Sequence, residues 1–303
     1  MNSINKQRCP ICGANRLEMV GTPQISDKLR NYIKEDYRVF KCKKCDFYFV
    51  LPPIEFSNKD WEGLYNQDYF EDMTEWHINQ RRRDRKKRLD DFQKHASQEE
   101  IKFLDVGCGN GDVMIDAVVR KWNVHGLDIS DNRRTSAKTK DISFFLGDIY
   151  QAKFKDDYFD CVYMDSVLEH VNDPLAYLKE INRIMKDDGV LYIGVPNEDS
   201  LFNGIKKILY FVFGKKKIAA KLKPFITPYH INGFTKKALN ILALKSNFRV
   251  LQLRDFAGQC DFLKFKVLSK PFIINVLLLP VHIVAMLMRK QIYLEAIFRK
   301  GIK

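Results

Sequence analysis

An α/β fold with a small cysteine-bound module in front of it is predicted by three observations in this 303-residue chain. Two C-x2-C pairs, Cys9 with Cys12 and Cys42 with Cys45, flank a stretch that holds a strand-like run. From Ile101 onward short apolar strands alternate with amphipathic segments, which predicts a mostly parallel sheet covered by helices on both faces. A glycine turn, Asp105-Val106-Gly107-Cys108-Gly109-Asn110-Gly111, closes the first of these strands. In such a sheet, ligands bind beyond the carboxyl ends of the strands.

Composition is that of a globular protein, with 46% hydrophobic and 29% charged residues. The formal charge of +13 suits an anionic partner: RNA, an acidic membrane leaflet or a phosphorylated substrate. The opening MNSINKQRCPICG has no apolar signal-peptide core, so the expected compartment is the cytoplasm. Seven cysteines, four in two close pairs, point to a metal rather than to a disulfide framework.

The first element expected is therefore a zinc ribbon over residues 1–55. Cys9, Cys12, Cys42 and Cys45 each present a thiolate at about 2.3 Å to one tetrahedral Zn2+, and four cysteines leave no position for a reactive water, so the role is structural. Gly13 allows the first knuckle to turn, YRVFKC and DFYFVL supply hairpin strands, and Pro52 and Pro53 end the module. A helical linker or lid is expected over 56–100. It contains RRRDRKKR at Arg81 to Arg88, which reads either as a solvated face or as a phosphate-binding one. Trp76, Leu89 and Phe92 are candidates for its inward side.

Residues 101–303 form the main domain, with strands at IKFLDV, NVHGLDI, ISFFLGD, FDCVYMD, GVLYIGVP and FRVLQLRDF, and helices at VMIDAVVRKW, PLAYLKEINRIMK and TKKALNILALKSN. A dinucleotide fingerprint G-x-G-x-x-G starting at Gly107 needs a third glycine where this chain has Asp112, a carboxylate facing a pyrophosphate. The stretch DVGCGNG instead resembles motif I of class I S-adenosylmethionine (SAM)-dependent methyltransferases, and the resemblance runs from Phe103 to Phe256 and again through the last strand. It implies a Rossmann-like sheet of seven strands. It also implies a cofactor site: Asp105, Gly107, Gly109 and Gly111 around the methionine end, Asp128 on the ribose, Ile129 against adenine, and Asp148 on its amino group, with Ile149 and Asp165 completing the set.

MDSVLEHVNDP resembles the motif after the fourth strand in small-molecule methyltransferases of the type that includes the ubiquinone-pathway O-methyltransferases. Asp173 is expected as a helix N-cap and Pro174 as the first helical residue, which leaves Ser166 to Asn172 as a loop at the methyl group. His170 in that loop is a candidate general base, with organisation of the loop backbone as its alternative role. Tyr229 and His230, in PYHINGF, are the other catalytic candidates. Sugar C-methyltransferases with a cysteine-rich zinc module share this layout and use Tyr and His from a similar place, although their Glu-His pair is missing here.

Two apolar and basic insertions interrupt the domain, at 197–228 and 257–290. The second contains PFIINVLLLPVHIVAMLM, a run without charge. At about 1.5 Å per residue it falls short of a roughly 30 Å hydrocarbon core, and Asn275, Pro280 and His282 interrupt it. A single crossing would also separate QIYLEAIFRK, the expected last strand, from its sheet. The first insertion places Leu201, Phe202, Ile205, Ile208, Leu209 and Phe213 on one face beside Lys206, Lys207 and Lys215 to Lys217, a basic interfacial pattern. The two are expected either to dock peripherally on an anionic inner leaflet or to pack together as a lid or dimer interface.

The function these features imply is SAM-dependent methyl transfer to a small or lipid-linked acceptor, such as a sugar of a surface-glycan precursor. One rival is a ribosomal RNA base methyltransferase with an N-terminal zinc site, favoured by the charge and the arginine run and disfavoured by the long apolar insertions. A catalytically silent SAM-fold adaptor is the other. The acceptor atom, O, N or C, stays open.

Overall fold

The computed structural model describes residues 8–29, 33, 36–54, 57, 60, 64, 75–96, 100–215, 217–219, 222–226, 229–257 and 269–301, by backbone alone at 28, 75–83, 270, 271 and 275. Expectations for the side chains of Trp76, Arg81 to Arg83, Lys216 and Asn275, for most of 55–74, and for 258–268 lie outside the described residues. Backbone contacts divide the chain into two compact units. One joins Met1–Ile54, Val195–Ile241 and Leu253–Glu295; the other joins Glu55–Gly194, Leu242–Gln252 and Ala296–Lys303.

The first unit is built on a four-stranded sheet in the order β1 (Leu17–Gly21), β2 (Arg38–Cys42), β3 (Tyr48–Leu51) and β9 (Asn232–Gly233). β2 and β3 form the expected hairpin, antiparallel with Phe40 opposite Phe49. The fourth strand comes from far along the chain, with Gly233 opposite Tyr48 and Asn232 opposite Phe49. Phe47, Phe49 and Phe234 are buried together, Phe47 lying 5.8 Å from Phe49 and 5.1 Å from Phe234 between ring centroids. The same unit carries the helices α5 (Leu201–Val212) and α7 (Lys270–Leu287), one from each insertion, which pack on each other. Ser200 caps α5 and Ser269 caps α7, each accepting from a backbone N–H in the first turn.

In the second unit lies α1 (Glu75–Gln93), followed by β4 (Lys102–Val106), α2 (Asp112–Val119), β5 (Asn123–Asp128), the short α3 (Thr135–Lys138), β6 (Ser143–Leu146), β7 (Phe159–Asp165) and α4 (Pro174–Ile184). With β8 (Met185–Pro196), β10 (Phe248–Phe256), reached through α6 (Lys236–Lys245), and β11 (Tyr293–Lys300), these strands form a seven-stranded sheet ordered β10-β11-β8-β7-β4-β5-β6. The run β8-β7-β4-β5-β6 is parallel throughout. The expected last strand thus lies beside β10, with which it was expected to pair.

The interior strands read as unbroken apolar runs because both faces are covered. Phe103, Leu104, Val162 and Leu191 have no exposed surface. Leu89 and Phe92 of α1 are fully buried, as expected, and Phe92 meets Phe103 edge to face. One boundary differs from the sequence pattern. PLAYLKEINRIMK reads as helix to its end, yet the helix stops at Ile184 and Met185 pairs with Phe159 in the sheet, ahead of a register shift where Asp188 takes a left-handed conformation.

Candidate functional site

The second unit brings the glycine turn and the strand-end acids together. β4 delivers Asp105 and Val106 to the turn, and Gly107 and Gly111 have φ of 69° and 80°, a region side chains rarely adopt. Space forbids substitution there as well, since a Cβ on Gly107 would lie 2.6 Å from Val167 Cγ2, and one on Gly111 would lie 2.6 Å from Ala137 Cβ. The turn is fastened to the next strand: Gly107 N–H donates to Leu127 O at 2.8 Å and Gly109 N–H to Asp128 Oδ2 at 2.8 Å. The other Asp128 oxygen accepts from Ser130 N–H at 3.1 Å. Burial raises the Asp128 carboxyl above its usual range, and the N–H groups of Gly109, Ser130 and Ile129 oppose that shift.

β6 ends beside this turn, where Gly147 N–H donates to Asp128 O at 2.8 Å. Asp148 then accepts from the N–H groups of Tyr150 and Gln151 at 2.9 and 2.8 Å, which fixes its carboxylate at the mouth of the loop, above the fully buried Ile149. Ile129 is half-buried.

Asp105 is the most informative of the predicted residues. Its side chain is buried, and Oδ2 has no hydrogen-bond partner among the described residues. Desolvation pushes its carboxyl well above the ordinary range, reinforced by the charges of Asp128 and Asp165 and opposed by Arg85. A buried acceptor beside other acids fits a cationic group, and SAM carries two, the sulfonium and the α-ammonium.

Asp165, at the end of β7, is held by the last residue of the arginine run. Arg88 Nη1 lies 2.7 Å from Asp165 Oδ2, with the guanidinium 5.4 Å from the centre of the Tyr192 ring. Arg85 sits 3.4 Å from Asp112 and 3.5 Å from Asp116. Neither reading of RRRDRKKR fits these two side chains: they face inward as ion pairs, while Lys86 and Lys87 are exposed. Arg85, Arg88 and Leu89 recur at three and four residues, the spacing of one helix face.

Beyond β7, Ser166 leaves the sheet with φ of 61°, and the loop closes in a single tight turn, Leu168–His170, where His170 N–H donates to Val167 O at 2.9 Å. His170 is half-buried; its neighbour Glu169 is wholly buried. Desolvation and the nearby Asp165 push the Glu169 carboxyl well above its usual range, which favours the protonated acid. Glu169 was missed, although an acid inside the apolar run VLEHV is a signal that it points inward. Asp173 caps α4 as expected, accepting from Leu175 and Ala176 at 3.1 and 2.9 Å, with Pro174 first in the helix.

The remaining predicted residues belong to the first unit. The four cysteines converge: Cys9 and Cys45 sulfurs are 3.5 Å apart, as are those of Cys12 and Cys42, and all four lie within 4.8 Å of one another. The knuckles are built alike, Gly13 N–H donating to Cys9 O and Asp46 N–H to Cys42 O at 2.9 Å, each from a left-handed residue. The hydrogen bond between Cys9 and Cys45 draws the Cys9 thiol down and pushes the Cys45 thiol up, so that the two sulfurs share one proton. Tyr229 is buried, with a left-handed φ of 62° that is costly for an aromatic residue and typical of functional loops. His230 is half-buried and bridges Lys223, two residues before β9 joins the cysteine sheet.

The methyltransferase domain family matches residues 77–253. A demethylmenaquinone methyltransferase of Staphylococcus epidermidis is 31% identical over 177 residues, covering 53% of this chain and 73% of that protein. An uncharacterized 37.1 kDa protein in a transposon of Streptomyces fradiae is 36% identical over 106 residues, which is 32% of this chain and 31% of that protein's length. Among solved structures, the Burkholderia thailandensis 1,6-didemethyltoxoflavin-N1-methyltransferase aligns with a TM-score of 0.52 at 13% identity, over 86% of this chain and 98% of that one. A SAM-dependent methyltransferase from Archaeoglobus fulgidus aligns with a TM-score of 0.50 at 19% identity, over 72% and 94%. At these identities the two structures speak for the fold alone.

Proposed function

We propose, from the premise that this chain belongs to the methyltransferase domain family of class I SAM-dependent enzymes, that it transfers a methyl group to a small or lipid-linked acceptor. The first acceptor class to try is a sugar of a surface-glycan precursor. The observation that carries the reading is Asp105, a buried carboxylate with an unmatched oxygen beside a glycine turn shaped for close backbone approach. Asp105 holds the ammonium of SAM, and Gly107, Gly109 and Gly111 close around its methionine end. Asp128 and Asp148 take the ribose and the adenine amino group, Ile129 packs against the base with the buried Ile149 backing the site, and Asp165, paired with Arg88, completes the set of strand-end acids.

Bound SAM supplies a methyl group already activated on positively charged sulfur. The protein's own work is to bring the acceptor atom in line with the carbon–sulfur bond, to exclude water, and to take a proton where the acceptor is a hydroxyl or carbon acid. His170 stands in the loop at the methyl group as the first candidate for that proton. Tyr229 and His230 are the second, held by the cysteine ribbon. Cys9, Cys12, Cys42 and Cys45 bind a structural Zn2+, since a tetrahedron of bonds near 2.3 Å sets sulfurs about 3.8 Å apart, within the span of this cluster.

Relatives named demethylmenaquinone methyltransferase support a small-molecule acceptor. The RNA reading loses part of its surface, because Arg85 and Arg88 are engaged by acids of the chain itself. A four-cysteine zinc site suits a reducing compartment, and the same reading puts the protein in the cytoplasm with peripheral contact to the inner membrane leaflet. The test is SAM with a labelled methyl group, added with purified protein to host extract that is then separated into lipid, RNA, protein and aqueous fractions. Label in the lipid or aqueous small-molecule fraction, lost with Asp128→Ala, supports the proposal; label confined to RNA overturns it.

A further inference from the structure

Among the described residues, no helix is long and apolar enough to cross a membrane. The helix pair α5/α7 nevertheless exposes most of its apolar surface. Leu278, Val281, His282 and Ala285 of α7 form the covered side, and the His282 ring lies 4.8 Å from that of Phe202 on α5. Most of the remaining surface of the helix is exposed, from Ile273 and Val276 through Ile283 to Met288, with Leu277 at 70% and Leu287 at 75%. The end of α5 adds Ile208, Val212 and Phe213, the last at 72%. Among the described residues, most large exposed apolar side chains outside these two helices are scattered singly. Here they are gathered on one pair.

The charge around them has one sign. Segments 201–223 and 269–290 together hold ten lysines and arginines and no aspartate or glutamate, where roughly five or six acids are expected at this chain's average. Lys207, Lys215, Lys217, Lys223 and Arg289 are exposed, and Lys290 is paired with Asp199 at 3.4 Å. We infer that this face docks on an anionic lipid surface, its aliphatic side chains entering the headgroup boundary and its lysines meeting the lipid phosphates.

The chemistry selects lipid over the other candidates. A two-fold dimer through this face would set the same basic rim against itself, a repulsion that Asp199, the acid paired with Lys290, relieves only in part. Single-stranded nucleic acid is gripped by aromatic stacking, and this face is mainly leucine, isoleucine, valine and methionine. A bilayer rich in acidic headgroups satisfies both the apolar and the basic parts at once. The inference deepens the proposed function, which names a lipid-linked acceptor, yet it concerns a surface that binds whether or not methyl transfer occurs.

The experiment is vesicle flotation of the full zinc-loaded chain. Vesicles of equal parts phosphatidylglycerol and phosphatidylcholine are compared with pure phosphatidylcholine, alongside light scattering and SAM calorimetry on the same preparations. The protein floats with the anionic vesicles at low salt, and both Leu277→Gln/Leu287→Gln and Lys207→Glu/Lys215→Glu/Lys217→Glu reduce flotation roughly tenfold or more, with SAM affinity unchanged. Absence of flotation, equal flotation of the variants, or a wild-type dimer that the leucine variant makes monomeric without loss of vesicle binding overturns the inference. Flotation without label in any lipid extract leaves the docking surface standing and removes the lipid-linked acceptor.

Discussion

Asn232 faces Phe49 across an antiparallel pairing, so the strand that follows Tyr229 and His230 is an edge of the cysteine ribbon's own sheet. The ribbon is thereby a brace for that loop rather than an appended tag. Stripping the metal, or making Cys42→Ser, is expected to lower the melting temperature and to reduce turnover by roughly tenfold or more, because the loop loses its anchor. SAM affinity stays within about threefold, since Asp105, Asp128 and Asp148 stand in the other unit. Differential scanning fluorimetry, turnover and calorimetry on zinc-loaded and chelated protein separate these effects.

The contact between Gly109 N–H and Asp128 ties the glycine turn to the strand end. Asp128→Ala removes that bond and the one from Ser130, at a cost of about 1–3 kcal/mol in SAM binding. That is roughly fivefold to 150-fold in Kd, read by calorimetry.

Asp105 gives the stability a pH signature. Its folded-state carboxyl titrates above the unfolded one, so the folded protein holds a proton that the unfolded chain has released. Stability from this group is therefore full below the ordinary carboxylate range and declines as pH rises from there toward the raised value. Asp105→Asn is expected to stabilise the cofactor-free protein at neutral pH by about 1–2 kcal/mol, while weakening SAM binding. Urea titrations across the acid-to-neutral range check the first part.

The inward arginines make a sharp contrast within one charge run. Arg88→Ala removes the guanidinium that neutralises Asp165 and covers Tyr192, leaving the Tyr163 hydroxyl 3.3 Å from the carboxylate, and is expected to cost about 1–3 kcal/mol of stability. Lys87→Ala, one position away and exposed, is expected to change stability by less than about 0.5 kcal/mol. Denaturant midpoints of the two variants decide it.

His170→Gln is expected to lower turnover by about a hundredfold or more if the acceptor must lose a proton, with SAM affinity retained. A matched fall in SAM affinity would instead assign His170 to the cofactor loop.

Much of this was legible in the residues because it is local. The strands of the main sheet are apolar runs, Gly107 and Gly111 mark positive φ, and Asp173 with Pro174 writes its own helix start. The cysteine pairs gave the cluster by spacing. What stayed hidden depends on contacts distant in sequence. Asn232 and Gly233 carry no strand signal in two residues, and only the partner Tyr48–Phe49 makes them one. The inward turn of Arg85 and Arg88 required knowing which acids lie opposite. The insertions, read as parts of the 101–303 domain, share a compact unit with residues 1–54.

The most direct measurement is a calorimetric titration of SAM into the zinc-loaded chain in two buffers of different ionisation enthalpy. Saturable binding is expected, with a proton released to the buffer as Asp105 ionises against the incoming ammonium, and no such release in Asp105→Asn. Absence of SAM binding by the folded, zinc-loaded protein would contradict the proposed function.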